Sequence, residues 1–332
     1  MRNFKMAFFF CILVMIIGLL LNFILVPSSH IRVLLHEVQD ESINYDLIVV
    51  GQSHGETDIN PMILEEKTGL VSYNLSRRLL SMEDMEYMVK ESNYKNDVKV
   101  LVMDIDPTYW IGDTYTNYFS DSYIYRHLNN PRNKVEYFFD KAINRDFRIT
   151  LCPYTDIKTG LLELPTTIKN KLSREYWDYS IEAVEMPSAN FIYKGRGFRY
   201  ATQYADSEYI PLVWNETQIS QTAIESLSNI VEYCTENGIQ LICVSSPLPQ
   251  ERRDKENYSL VHSYFNNLLK EYHVPFLDFN YCKQEYLDIR DEAFMDSDGH
   301  MMGWFAEEYS ELLGEVVNLV IEDKNTAFYF EE

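Results

Sequence analysis

The amino-acid sequence predicts an α/β fold of three layers, with a parallel sheet at the centre and helices on both faces. Three observations carry that expectation. Short, mostly apolar runs at residues 47–50, 98–103 and 239–244, interrupted only by Lys99 and Gln240, have the length of strands buried on both sides and lack the full alternation of a half-exposed sheet. Segments with apolar residues at helical spacing lie between them, as in Ile224, Leu227, Ile230 and Val231. At 332 residues, 46% hydrophobic and 24% charged, the chain can bury one large core and carry a further subdomain.

The chain opens on an apolar run, residues 6–26, broken only by Gly18 and Asn22. About 20 such residues cross a bilayer as a helix. Arg2 and Lys5 precede the run, and cationic flanks stay cytoplasmic, so a single-pass cell-membrane topology is expected, with the N-terminus inside and the C-terminal domain extracellular. A cleaved signal peptide is the competing reading, but its apolar stretch is shorter and ends at a small-x-small site, which Val26-Pro27-Ser28-Ser29 matches poorly. Residues 1–26 are therefore expected as the anchor and the mixed, polar residues 27–44 as a stalk. Residues 45–332 form the folded domain.

Within that domain, strand and helix alternate. A strand at 47–50 leads to a helix at 61–68 stopped by Gly69, then a short strand at 71–73. Ser81 with Asp84 resembles a capping box opening a helix to about Asn93, before the strand at 98–103. The pattern resumes with a helix at 222–234 terminated by Gly238, a strand at 239–244, a helix at 260–272, a strand at 274–279 and a last helix from about Gly303. Between them, 107–217 reads as an aromatic-rich insertion or cap containing Tyr109, Trp110, Tyr115, Tyr118, Tyr123, Tyr125, Trp177, Tyr179, Tyr200, Tyr204 and Tyr209. Such rings suit sugar faces, and they equally suit a small tyrosine-rich core.

The balance of 51 acidic against 29 basic residues gives a net charge of −22, which disfavours nucleic acid as a partner. Cys152, Cys234, Cys243 and Cys282 follow the apolar run with wide spacing and read as ordinary thiols rather than a disulfide or zinc framework. Lys194-Gly195-Arg196-Gly197-Phe198-Arg199 is a basic patch in an acidic domain, either a phosphate or carboxylate contact or a solvated turn.

Two short runs carry chemistry. Ser53 follows the first strand in Gly51-Gln52-Ser53-His54, and Asp296-Ser297-Asp298-Gly299-His300 offers a base with two carboxylates. In open parallel sheets the loops at the carboxyl ends of strands hold the reacting groups, so both runs can reach one edge. An extended backbone would place Asp298 and His300 on the same side, with Asp296 the other candidate partner. Ser53 could instead be a helix cap, His54 a residue supporting the site from behind, a substrate contact or a partly exposed loop residue, and the aspartates a hard-cation cluster; the last would want more oxygen ligands in one loop.

Gly51-Gln52-Ser53-His54, Asn60-Pro61-Met62-Ile63-Leu64, Gly69, Ser72-Tyr73-Asn74-Leu75-Ser76 and Val100-Leu101-Val102-Met103-Asp104-Ile105-Asp106 together resemble the membrane-anchored SGNH/GDSL-like hydrolase or acyltransferase family of Gram-positive bacteria. Residues 239–247, Pro249 and Asp298-Gly299-His300 fit its later blocks, with distant likeness to the teichoic-acid D-alanyl transfer protein and alginate-type O-acetyltransferases. The resemblance implies an SGNH/flavodoxin-like sheet with Ser53 as nucleophile, His300 as general base and acid, and Asp298 orienting the imidazole. It places the oxyanion donors at the N–H groups of Ser53 and Ser76 and the side chain of Asn74. Where the family carries Gly-x-Asn-Asp after the third strand, Asp104-Ile105-Asp106 stands here, and a carboxylate repels an oxyanion. The implied activity is an extracytoplasmic serine esterase or O-acyltransferase on a cell-surface polysaccharide or teichoic-type polymer, needing no cofactor and no metal. The alternative is an inactive SGNH-fold protein that binds such a polymer or a multi-pass membrane acyltransferase.

Overall fold

The computed structural model describes residues 2–112, 118–143, 148, 150, 152–155, 159–184, 190–205 and 212–331. Tyr115 and Tyr209 lie outside them. The described helices and strands run in the order α1 (Arg2–Leu25), α2 (His30–Glu37), β1 (Leu47–Val50), α3 (Ser53–Asp58), α4 (Pro61–Thr68), β2 (Ser72–Asn74), α5 (Met82–Ser92), β3 (Val100–Asp104), α6 (Tyr118–His127), α7 (Pro131–Tyr137), α8 (Leu164–Leu172), α9 (Arg174–Trp177), β4 (Phe191–Gly195), β5 (Phe198–Ala201), α10 (Gln221–Asn237), β6 (Gln240–Ser245), α11 (Gln250–Glu256), α12 (Tyr258–Glu271), β7 (Phe276–Asp278) and α13 (Gly303–Ile321).

The chain divides into two compact units, Met1–His36 with Tyr118–Pro187, and Glu37–Asn117 with Ser188–Glu332. The second holds a five-stranded sheet in the order β2-β1-β3-β6-β7, every pairing parallel. Leu47, Val49, Val100, Val102, Ile242, Val244 and Leu277 pack one face into a core with Leu64, Phe305, Tyr309 and Val316. The alternate residues Ile48, Val50, Leu101, Met103 and Cys243 are also buried, and α5 and α10 pack on each other and against β1 and β6. Both faces are therefore covered, which is why β1 and the centres of β3 and β6 are apolar, with polar residues such as Asp104 and Ser245 confined to the strand ends.

Local chemistry ends the helices as expected. Ser81 Oγ accepts from the Asp84 N–H at 3.1 Å, and Gly69 and Gly238 cap α4 and α10 in the left-handed conformation at φ of 70° and 68°. A β4–β5 hairpin carries the basic patch, whose charges are answered: Arg196 pairs with Glu65, and Arg199 Nη1 lies 3.5 Å from Glu56 Oε1.

The first unit contains α1, the one described helix long and apolar enough to cross a membrane. Residues 27–44, expected as a stalk, contain a packed helix instead: His30–Leu35 are buried in α2. Arg32 sits 3.9 and 3.8 Å from the ring centroids of Tyr176 and Tyr179, and His36 stacks on Tyr179 at 3.6 Å. The expected 107–217 insertion is also partitioned. Its middle, Tyr118–Pro187, belongs with the N-terminal helices, while β4 and β5 belong with the sheet, where Trp110 is buried against Phe265. All five cysteines are free.

Candidate active site

The chain leaves β1 toward β2 on one side and then returns to β3 on the other. This reversal opens a crevice at the carboxyl ends of β1 and β3, the place where open α/β sheets bind ligands. Two glycines let the backbone close around it. A Cβ on Gly51 would lie 2.8 Å from Asp104 Cβ, and one on Gly55 would lie 2.5 Å from Ser76 Oγ.

Ser53 is the first residue of α3, half-buried, so its N–H stands outside the helical ladder. Its hydroxyl makes no hydrogen bond among the described residues. The C-terminal motif packs onto the same helix. The Met301 N–H donates to Asp58 Oδ1 at 2.9 Å, and the His300 ring stacks on His54 with centroids 4.7 Å apart and planes 13° from parallel. His300 Nδ1 lies 2.9 Å from Asp296 Oδ2 and 4.0 Å from Asp298 Oδ2.

The expected pairing of His300 with Asp298 is thus replaced by Asp296, the other candidate. The cause is a curled loop where an extended one is expected. Asp296 Oδ1 accepts from the N–H groups of Asp298 and His300 at 3.1 and 3.2 Å, and Gly299 turns at φ 93°, so the first aspartate comes round to the imidazole. The imidazolium-favouring contact with His300 holds Asp296 below its ordinary carboxylate value in spite of burial, which acts the other way. His300 Nε2 has no hydrogen-bond partner among the described residues, and no hydrogen bond joins it to Ser53.

Of the roles open to His54 in the sequence, the exposed loop residue is not what the structure shows: His54 is buried behind the site, among the loops that support it. Its Nδ1 lies 3.0 Å from Asp106 Oδ2 and its Nε2 3.0 Å from the Asp298 carbonyl. Two acceptors on one ring favour donation from both nitrogens, although Arg252 Nη1 also stands 3.4 Å from Nε2. Burial opposes a positive charge on the ring, but the hydrogen bond and charge of Asp106 outweigh it and push His54 up to about 10. Asp106 is correspondingly held far below the usual carboxylate range, its burial overcome by His54 and Arg252.

Arg252, on α11 and 1% exposed, ties the loops together. It donates to the Asp298 carbonyl and, at 3.3 Å, to Thr108 Oγ1, and its Nε lies 3.3 Å from Glu256 Oε1. Asp298 also meets this arginine, 3.4 Å from Nη1, and is farther from the His300 ring than Asp296 is. No motif spacing announces Arg252, and Asp106 stands in a recognisable run whose partners exist only once the fold brings them together.

The expected oxyanion donors are also redirected. Both Asn74 amide hydrogens are used, on the carbonyls of Gly55 at 2.7 Å and Ile59 at 2.8 Å, and the Ser76 N–H donates to Asn74 Oδ1 at 2.9 Å. Asn74 therefore fastens the end of α3 to β2. Ser53 keeps its own N–H. Asp104 accepts from Ser246 Oγ at 2.9 Å through one oxygen, while the other is buried without a partner among the described residues. Burial raises Asp104 to about 7 and Asp58 to about 6, so the Asp104 carboxyl is protonated over part of the neutral range. A cavity of about 10 Å³, room for a single water, is lined by His54, Asp104, Asp106, Ser246 and Leu248 among others. Among the described residues no group of histidine, cysteine and carboxylate side chains is arranged to hold a metal ion.

No family model matches the chain, and no curated protein is similar to it. Among solved structures it is similar to a proposed acylhydrolase of Bacteroides fragilis NCTC 9343, at 8% identity and a TM-score of 0.41 over 89% of this chain and 100% of the other. It is likewise similar to a GDSL-like lipase of Bacteroides thetaiotaomicron VPI-5482, at 10% identity and a TM-score of 0.40 over 89% and 99%.

Proposed function

We propose that the chain is a serine-dependent esterase or O-acyltransferase of the SGNH/GDSL type. The observation that carries this reading is the Asp296–His300 pair set against the helix that Ser53 begins. In the reaction, His300 Nε2 takes the Ser53 proton as the hydroxyl attacks an ester carbonyl, and Asp296 holds the ring and offsets the charge that forms on it. The imidazolium then returns the proton to the departing alcohol, leaving an acyl-Ser53 ester. Water or an acceptor hydroxyl, deprotonated by the same ring, releases the acyl group.

The Ser53 N–H is the oxyanion donor the fold supplies, and Asp104 in its protonated form is the second. With α1 as a membrane anchor, the site works outside the cell on a polysaccharide or teichoic-type polymer, and a multi-pass acyltransferase is its acyl source. A non-catalytic polymer-binding role is favoured by one observation, the engagement of Asn74 and Ser76 in structural hydrogen bonds.

Turnover of a chromogenic acetyl ester separates the two. Hydrolysis by the wild-type protein that disappears in Ser53→Ala supports the esterase. Equal rates from both proteins, or no rate from either, favour the binding role.

A further inference from the structure

Exposed apolar side chains in the first unit gather beside the last turn of α1. Leu161 and Leu162 are 86% and 96% exposed, and Leu172 is 68% exposed. Two sets of contacts fix their position. Thr159 donates its N–H and its hydroxyl to the Leu25 carbonyl, at 2.9 and 2.7 Å. Lys171, the residue before Leu172, donates Nζ to the carbonyls of Phe23 at 2.7 Å, Asn22 at 3.3 Å and Val26.

The Phe23 and Leu25 carbonyls lie in the last turn, where a helix cannot satisfy them for itself, while Asn22 also accepts from the Val26 N–H at 3.2 Å; a helix leaving a bilayer needs such groups answered. A lysine there is also favoured by the helix dipole. Both ends of the α8 segment are thereby bound to the end of the apolar run. Leu161 stands two residues from Thr159, so it lies within about 10 Å of the Leu25 carbonyl by chain length alone. The interfacial layer beyond the hydrocarbon core is roughly 5–8 Å deep, so leucines at this position meet it.

We propose that residues 159–172 form a foot on the membrane, with Leu161, Leu162 and Leu172 entering the headgroup–acyl boundary of the outer leaflet and Trp177 of α9, 63% exposed, at headgroup level. The leaflet is the occupant because the segment is hydrogen-bonded to the end of the spanning helix. Isolated surface leucines need no explanation, but two in succession at the mouth of an apolar span do. The inference rests on α1 lying in the bilayer and is independent of the chemistry at Ser53.

The test uses the full chain reconstituted into phosphatidylcholine–phosphatidylglycerol vesicles carrying doxyl-labelled lipids. An environment-sensitive fluorescent amino acid replaces Leu161 or Leu162, or Leu13 within α1. The foot predicts that probes at 161 and 162 lose most of their emission to doxyl groups placed near the headgroup and that the Leu13 probe is quenched by deeper labels. A quenched Leu13 probe with unquenched probes at 161 and 162 overturns the foot while leaving the span intact. Blue-shifted but unquenched emission at 161 assigns the patch to a protein contact and also overturns it. An unquenched Leu13 probe removes α1 from the bilayer and the foot with it.

Discussion

His54 and His300 lie face to face, 4.7 Å between ring centroids, although 246 positions separate them in the chain (300 minus 54). The first is buried and bonded to Asp106, the second bonded to Asp296. Removing His54 leaves the Asp106 carboxylate buried without its main counter-charge, so His54→Ala is expected to cost about 3–5 kcal/mol in denaturant unfolding. His54→Ala combined with Asp106→Asn should recover a good part of that loss. A double variant no more stable than the single one would show that the pair is not coupled.

Asp296 and Asp298 are predicted to separate cleanly in kinetics. Asp296→Asn removes the acceptor that sets the tautomer of His300, a change that costs on the order of 10⁴-fold in a serine triad. Asp298→Asn alters the Arg252 contact and a longer, 4.0 Å approach to His300, and should cost less than about tenfold in ester hydrolysis. The reverse order would return the orienting role to Asp298.

Two buried carboxyls and one buried histidine give stability a defined pH dependence. Asp104 is raised from 3.8 to about 7 and Asp58 from 3.8 to about 6, so the folded state holds these protons more tightly than the unfolded state. Their contribution is complete below pH 3.8 and is lost as pH climbs to about 7. His54, raised from 6.5 to about 10, has the same sign at higher pH, its contribution lost between those values. Asp106, held low, acts oppositely and is lost as pH falls below 3.8. Asp104→Asn should therefore flatten the decline in urea midpoint between pH 4 and 7. An unchanged slope would contradict the assignment.

Gly299 is predicted to resist substitution. Its φ of 93° is in the left-handed region, and a Cβ there would lie 2.9 Å from Pro249 Cδ and 3.1 Å from Leu248 Cδ2. Gly299→Ala should cost about 1–3 kcal/mol of stability and lower turnover through displacement of His300. Wild-type Tm and rate in the variant would show that the loop has another shape.

Much of the fold is legible in the sequence because β1, β3 and β6 have continuous apolar centres and several helices carry their own caps or stops, Ser81, Gly69 and Gly238 among them. The five predicted sheet strands fall within two residues of the observed ends. The packing of the expected stalk is not legible because Ile31, Val33, Leu34 and Leu35 are interleaved with Arg32 and His36, whose partners Tyr176 and Tyr179 are distant in sequence. The site is legible only in outline. Ser53 and His300 stand in recognisable runs, whereas the choice of Asp296 over Asp298 depends on a turn built by its own hydrogen bonds. The roles of Asp106 and Arg252 depend on neighbours brought by the sheet.

The most direct measurement is peptide mass spectrometry of the full chain after exposure to a fluorophosphonate. A hydroxyl activated by His300 predicts one covalent adduct, on Ser53, that is lost in Ser53→Ala and in His300→Ala and retained in Asp298→Asn. An unmodified Ser53 in the folded wild-type protein, or equal modification in His300→Ala, would contradict the account.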